Sequence, residues 1–304
     1  MKPALSVIFF TVSSGAGLGL LVWLLIASLM VNHIRMDATT FYKGAAIAAA
    51  LITAGLVSST LHLANRKNAM YALTRIRTSW LAREGLLALV LYPLAALHWY
   101  ALESALPQVT PFTLGLLIAD ALAVLYCTGM IYGCLKTIPR WNTWMTPVKY
   151  VLFGLMSGAV LLPAVLSLRP PEVGPVGKPM VAILLLAVGL IFYVAYLLKH
   201  PRKQHTINDA LGFQQGKVRL LDVGHSHGTF LTNEFGFSVA REKARLLRWV
   251  AIFCAFIVPL LLCYFTKWFW VASLICIIGL LVERWLFFAE AEHVVRLYHG
   301  QQRV

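Results

Sequence analysis

The amino-acid sequence predicts an all-α fold, a polytopic membrane protein with eight transmembrane helices. Hydrophobic residues make up 60% of the 304 positions and charged residues only 12%, about half the charged fraction of a soluble domain. The apolar residues are gathered in runs of about 20, the length that an α-helix needs to cross a bilayer. We therefore expect residues 1–304 to form a single membrane domain with connecting loops.

Eight apolar segments have this length. In chain order they are Leu5–Val31, Phe41–Leu63, Leu81–Glu103, Thr113–Leu135, Pro147–Leu168, Pro179–Leu198, Leu246–Phe265 and Phe269–Phe288. The first run shows no small-residue cleavage site, so it is interpreted as a retained helix and not as a signal peptide. A very short turn around Lys267 separates the last two segments, which predicts a helical hairpin.

Tryptophans support the predicted helix ends, because tryptophan is enriched where membrane helices meet the headgroup region. Those near predicted inner ends are Trp80, Trp141, Trp144, Trp249 and Trp285, and those near outer ends are Trp99, Trp268 and Trp270.

Lysine and arginine are distributed very unequally between the two sides that this topology defines. The side that holds both termini has 21 of the 26 residues, and the opposite side has 5. Because basic loops are retained in the cytoplasm, both termini and a long loop at about residues 199–248 are predicted to be cytoplasmic, with the helices in the inner membrane. These loops explain the formal net charge of +14, and no aromatic-rich polar platform indicates nucleic-acid binding.

The cysteines and histidines do not form a metal or haem motif. All five cysteines lie in apolar segments, and no two are spaced as CxxC, so no metal site and no iron–sulfur cluster is expected in this chain. Haem b needs two histidines at a similar depth in the membrane, and His62 and His98 do not meet this requirement. His62 is expected at the level of Glu84, and His98 lies about 21 Å further along the helix than Glu84. His33 and His98 could still share an outer level.

The stretch HLANRKNAMYALTRIRTSWLAREG, residues 62–85, concentrates polar groups between the second and third predicted helices. His62 lies at the inner end of one helix and Glu84 in the first turns of the next, so both can face one small volume at the membrane boundary. A neutral imidazole can donate to a quinone oxygen or accept from it, and a partly desolvated carboxyl can relay a proton. The pair therefore favours a site for a quinone head group.

Three neighbours of Glu84 complete this candidate quinone-binding site. Arg83 would assist proton exchange, and Arg77 and Trp80 would form the pocket wall. A structural alternative stays open at this stage: a histidine at a helix end often only marks the interface, and Glu84 can pair simply with Arg83 or Arg77 near the helix N-terminus.

Further polar residues lie outside this stretch. Asp120 is an acid inside the fourth predicted helix, where it could serve a proton path or bond to a neighbouring hydroxyl. His225 and His227 could bind a metal, but other ligands are lacking, so a cap that contacts a partner is favoured. Arg66 and Arg75 are expected to belong to the same docking surface.

Four stretches of the sequence resemble the membrane-anchor subunit of the dimethyl sulfoxide reductase family of three-subunit iron–sulfur molybdoenzymes. They are HL at 62–63, RTSWLAREG at 77–85, KTIPRWNTWMTP at 136–147 and GHSHGTFLTNEFGF at 224–237. The resemblance covers nearly the whole chain, including the number of helices. Ala64 and Arg66 stand where the family usually has glycine and proline.

The resemblance implies a subunit that binds a quinone, ubiquinone or menaquinone, at positions matching His62 and Glu84. Electrons would pass between this quinone, a four-cluster ferredoxin-like iron–sulfur subunit and a molybdopterin catalytic subunit. Quinone-reducing sulfite dehydrogenases use a similar anchor with a cytoplasmic catalytic arm. Since the basic side is predicted to be cytoplasmic, sulfite oxidation is favoured over a dimethyl sulfoxide reductase that oxidises menaquinol.

Two other classes of function stay open from the sequence alone. Asp120 and Glu103 would suit a secondary transporter, although the paired short or broken helices typical of transporters are not found. A passive membrane tether without a quinone site is the simplest alternative.

Overall fold

A computed structural model shows a bundle of long helices. It describes residues 3–29, 36–60, 71, 74–106, 108–170, 172, 174, 176–199, 206–219, 221 and 239–299, without the side chains of 239–242 and 299. No strand occurs among these residues.

Ten α-helices are present in this part of the protein. They are α1 (Leu5–Leu29), α2 (Ala38–Thr60), α3 (Trp80–Glu103), α4 (Thr110–Gly133), α5 (Met145–Leu166), α6 (Met180–Lys199), α7 (Ile207–Leu211), α8 (Val239–Ile252), α9 (Val258–Phe265) and α10 (Phe269–Ala289). A π-helical turn, Phe253–Ile257, joins α8 and α9 into one rod, and a 3₁₀ turn, Val294–His299, follows α10.

Eight helical segments of the described residues are long and apolar enough to cross a membrane, which confirms the predicted all-α polytopic fold. They are α1 to α6, the α8–α9 rod and α10, since α7 is too short. The predicted ends agree to within a few residues in most cases. The seventh segment differs, because its helix begins at Val239 and its first turns carry charged residues before the apolar run that starts at Leu246.

Helix α1 lies at the centre of the bundle, where it packs against α2, α4, α5 and α10. Its crossing with α5 is very close: a Cβ atom on Gly19 would lie 1.9 Å from the carbonyl oxygen of Gly154, and one on Gly158 would lie 2.0 Å from the carbonyl carbon of Gly19. Small residues at such crossings let two membrane helices approach and gain packing contacts. Helix α3, in contrast, lies at the periphery and packs chiefly on α4.

The alternation of the helices defines two ends of the bundle. One end is where α1, α3, α5 and α8 begin and where α2, α4, α6 and α10 end. We call this end of the bundle the basic end. Residues 74–79, 134–144 and 290–298 lie at this end.

Candidate functional site

The N-terminus of α3 places Glu84 one turn inside the bundle. Ser79 has an extended backbone (φ −118°, ψ 122°) and its hydroxyl accepts a hydrogen bond from the backbone N–H of Ala82 at 3.3 Å. This is the usual arrangement for a serine that starts a helix. The helix therefore begins at Trp80, and Glu84 follows on the face that packs against α4.

Glu84 is buried, with 3% of its surface exposed. Its carboxylate accepts a short hydrogen bond from Oγ1 of Thr128 on α4. The same hydroxyl lies 2.9 Å from the carbonyl oxygen of Val124. Because a threonine hydroxyl has one proton and two lone pairs, it can donate to an ionised Glu84, or donate to Val124 and accept from a protonated Glu84. Thr128 therefore suits both protonation states of the acid.

The surroundings of this carboxyl are otherwise apolar. Ala88 and Leu91 continue the buried face of α3 away from the basic end, and Val124 and Cys127 are buried on α4 beside Thr128. A carboxylate in such surroundings is expensive unless it is neutralised or receives hydrogen bonds. The site thus favours a group that exchanges a proton over one that stays charged.

Arg83 binds backbone carbonyls and not the carboxylate of Glu84, which is the partner that charge attraction would predict. Its Nε donates to the carbonyl of Ile76 and its Nη2 to the carbonyl of Arg77, both at 2.8 Å. Its guanidinium carbon lies 4.2 Å from the ring centroid of Trp80. Arg83 therefore holds the turn before α3 against the helix, and no ion pair joins it to Glu84 among the described residues.

Trp80 and Arg77 lie at the rim of this region. The Trp80 ring packs edge-on against Tyr126 of α4, with centroids 5.9 Å apart. The side chain of Arg77 is exposed, so its contribution is the carbonyl that Arg83 binds. Arg75 is also exposed at the basic end, as a docking residue requires.

Several predicted residues lie outside the described part of the protein. They are His62, Arg66, His225 and His227. Helix α2 ends at Thr60, two positions before His62. The juxtaposition of His62 and Glu84 therefore stays a prediction.

Helices α2 and α3 meet through long side chains and not by close backbone packing. Thr53 and Tyr92 share a hydrogen bond of 2.9 Å between their hydroxyls. Towards the opposite end, Tyr42 stacks on Trp99 with centroids 5.0 Å apart and donates to Glu103. These side-chain contacts therefore join α2 and α3 at the middle of α3 and near its C-terminal end.

The α3–α4 interface carries two more polar groups. Asp120 is buried two turns from Thr128 on the same face of α4, and its Oδ2 has no hydrogen-bond partner among the described residues. Near the opposite end, Nδ1 of His98 lies 2.9 Å from Oγ1 of Thr113. Polar groups are therefore spaced along the whole length of this interface.

The sequence interpretation missed a buried group of charges at the α5–α10 interface. Lys149, Glu283 and Arg284 are exposed by 0%, 1% and 3% respectively, although Lys149 and Arg284 belong to the 21 basic residues assigned above to the side that holds both termini. A signal was present, because all three fall inside the predicted helices Pro147–Leu168 and Phe269–Phe288. Charges within membrane helices are functional candidates by default, and the same rule singles out Asp120.

Comparisons with known proteins agree with the resemblance inferred from the motifs. Residues 1–289 match the family described as DMSO reductase anchor subunit (DmsC). The C subunit of sulfite dehydrogenase from Allochromatium vinosum is 32% identical, over 98% of this sequence and 99% of its own. The C component of the anaerobic dimethyl sulfoxide reductase from Haemophilus influenzae is 25% identical, over 53% of this sequence and 58% of its own.

The C component of the anaerobic dimethyl sulfoxide reductase from Escherichia coli is 29% identical, over 39% of this sequence and 42% of its own. No solved structure matches. Since the family match spans almost the entire sequence, the protein belongs to the DMSO reductase anchor subunit (DmsC) family.

Proposed function

We propose that this protein is the quinone-reactive, electron-transfer anchor of a three-subunit molybdopterin and iron–sulfur oxidoreductase. The observation that carries the proposal is Glu84, an acid buried near the basic end and held by the Thr128 hydroxyl. A subunit that only anchored its partners to the membrane would not require a buried acid at this position. The isoprenoid tail would enter sideways from the lipid between α2 and α3, which contact each other through side chains.

The chemistry assigned to the site is reduction of a quinone to a quinol. The quinone takes up two electrons from the iron–sulfur partner and two protons, one at each carbonyl oxygen. The protonated Glu84 donates the first proton, is reloaded from the basic end, and supplies the second proton through the imidazole of His62 to the other oxygen. His62 would hold the other oxygen, because a neutral imidazole can donate a hydrogen bond. For quinol oxidation the same groups work in reverse.

The partners are proposed to dock at the basic end of the bundle. A four-cluster ferredoxin-like subunit would contact Arg66, Arg75, His225 and His227, and the molybdopterin subunit would bind to it in turn. The excess of basic residues at this end supports a cytoplasmic location for it, for both termini and for the partners, with the helices in the inner membrane.

The substrate of the molybdopterin subunit is proposed to be sulfite, with quinone as the electron acceptor. Similarity to the sulfite dehydrogenase relative extends over almost the full length of both proteins, whereas the dimethyl sulfoxide reductase relatives align over about half of this sequence or less. Oxidation of menaquinol for dimethyl sulfoxide reduction is the second candidate. Sulfite-dependent and dimethyl sulfoxide-dependent turnover of the purified complex would decide between them.

The quinone site is tested with His62→Ala and Glu84→Gln in the intact complex. Both should lower quinone-coupled turnover by about 100-fold, the usual effect of losing a general acid or base. Reaction of the soluble subunits with an artificial dye should stay at the wild-type rate. Glu103→Gln is the matched control, since it makes the same change on the same helix at the opposite end. Wild-type quinone kinetics in both variants would refute the site.

Asp120 is the candidate for the alternative route, in which protons reach the quinone from the opposite end of the bundle. It is buried, and its Oδ2 lacks a hydrogen-bond partner among the described residues. Asp120→Asn should slow quinone-coupled turnover if protons enter from that end, and should have little effect if they enter from the basic end.

A further inference from the structure

One carboxylate is shared between two cations inside the bundle. Lys149 Nζ donates to Oε1 of Glu283 at 2.8 Å, and Arg284 Nε lies 3.4 Å from Oε2 of the same residue. We call these three residues the buried ionic cluster. Lys149 lies in the first turns of α5 and the other two in the last turns of α10, so the cluster lies near the basic end.

Stability does not explain this cluster. Removing three charged side chains from water is costly, and a buried ion pair can often be replaced by apolar residues without loss of stability. Inside membrane proteins, ionisable side chains more often mark paths for ions or protons. The cluster also carries one more positive than negative charge, so its charges do not simply cancel.

Three polar atoms of this region are buried without a hydrogen-bond partner among the described residues. They are the hydroxyl of Tyr150, Oε2 of Glu283 and Nη1 of Arg284. They lie close together, because the guanidinium carbon of Arg284 is 3.7 Å from the ring centroid of Tyr150. Buried polar groups of this kind are usually satisfied by internal water, which both donates and accepts. Neighbouring donors and acceptors bridged by water are what a proton relay requires.

Tyrosines extend this row of polar groups towards Glu84. Tyr150 stacks on Tyr132 of α4, with centroids 5.5 Å apart and an interplanar angle of 21°. Tyr132 follows Thr128 by one helical turn, about 6 Å along the axis. Thr128 in turn donates to Glu84. Each hydroxyl of the row can both donate and accept a proton.

In the other direction the row reaches the surface of the basic end. Lys149 Nζ lies 4.2 Å from the ring centroid of Tyr196, whose hydroxyl donates to the carbonyl of Arg140 at 3.2 Å. Glu290 binds Arg140 at 2.8 Å and Arg248 at 2.5 Å. The side chains of Arg140 and Arg248 are exposed by 15% and 32%, so the row ends in contact with solvent.

We propose that the buried ionic cluster, Tyr150 and Tyr132 form the route by which protons pass between the basic end and Glu84. The proposal rests on the proposed quinone chemistry and gives it a proton supply. For each quinone reduced, two protons enter the row from solvent and two leave it to the quinone, while the iron–sulfur partner supplies two electrons. The row itself is unchanged after each turnover.

The test replaces the hydroxyls and keeps the rings. Tyr150→Phe and Tyr132→Phe are introduced separately into the intact complex, and partner co-purification verifies assembly. Quinone-coupled turnover should fall by roughly tenfold or more with a larger solvent isotope effect, while the KM for quinone and the dye-coupled rate stay unchanged. Tyr193→Phe is the matched control, since Tyr193 is as buried as Tyr150 but stacks on Phe256 of the π turn, outside the row.

Two reference variants separate the possible failures. If Glu84→Gln is slow but both tyrosine variants turn over at the wild-type rate and isotope effect, the route is wrong and the quinone site stands. If Glu84→Gln is also unaffected, the quinone site itself fails. If Asp120→Asn is slow while the tyrosine variants are normal, protons enter from the opposite end, which also overturns the route.

Discussion

The shared carboxylate of Glu283 predicts an unequal response to two charge-removing substitutions. Glu283→Gln leaves the cations Lys149 and Arg284 buried together without an anion, so the cluster changes from one excess positive charge to two. Removing one partner of a buried pair costs about 3–5 kcal/mol of stability. Lys149→Met leaves the Glu283–Arg284 contact of 3.4 Å in place and makes the cluster neutral.

The expected loss for Lys149→Met is smaller and comes mainly from other contacts. The ammonium group lies 4.2 Å from the ring centroids of both Tyr196 and Phe287, and cation–π contacts of this kind are worth about 0.5–2 kcal/mol. The unbranched methionine side chain fills much of the same space. Because the substitution also removes the cost of burying an ammonium group, the net loss should stay below about 2 kcal/mol.

Thermal unfolding of the purified complex in detergent measures this difference. A change of 1 kcal/mol shifts the Tm of a large domain by about 2–4 °C, so Glu283→Gln should lower the Tm by at least about 6 °C. Lys149→Met should lower it by clearly less. Equal shifts, or a larger shift for Lys149→Met, would refute the idea that one carboxylate neutralises two cations.

Three further predictions concern packing, the acid site and a helix end. Gly19→Ala should destabilise the bundle by about 1–3 kcal/mol, because the added Cβ would clash with α5. Gly115→Ala should not, because no atom lies within 4 Å of its added Cβ. Equal Tm values for the two variants would contradict the close crossing. Thr128→Val should slow quinone-coupled turnover by about tenfold, the worth of one lost hydrogen bond to Glu84, and Thr128→Ser should restore it; a wild-type rate for the valine variant would exclude this role. Ser79→Ala should lower stability by about 1 kcal/mol in the same melting assay, and an unchanged Tm would argue against the cap.

The helices could be predicted from the sequence because the bilayer imposes a length on each apolar run. The one marked difference, the early start of α8 at Val239, has a physical reason. The first turns of this helix are charged, yet Ala244 is buried there beside Leu286 of α10. Apolarity marks where a helix can enter the membrane, while packing on a neighbouring helix extends it beyond that point.

The candidate site was predicted only in part. The position of Glu84 in the first turns of α3 followed from the motif, but its partner, Thr128, is 44 residues away and no local pattern indicates it. The alternative ion pair with Arg83 was plausible at that spacing, yet the guanidinium binds two backbone carbonyls instead. Side-chain partners across helices depend on how each helix is rotated, which packing determines.

The sequence by itself determined the class of the protein, its eight membrane segments and the family to which it belongs, because apolar length and short motifs are local properties. Only the tertiary structure decided that Lys149 meets Glu283 and Arg284. Lys149 lies 134 residues or more from the other two and on a different helix, so the sequence alone does not show that the three charges meet. Their function depends on burial and mutual distance, and both arise only when α1, α5 and α10 pack together.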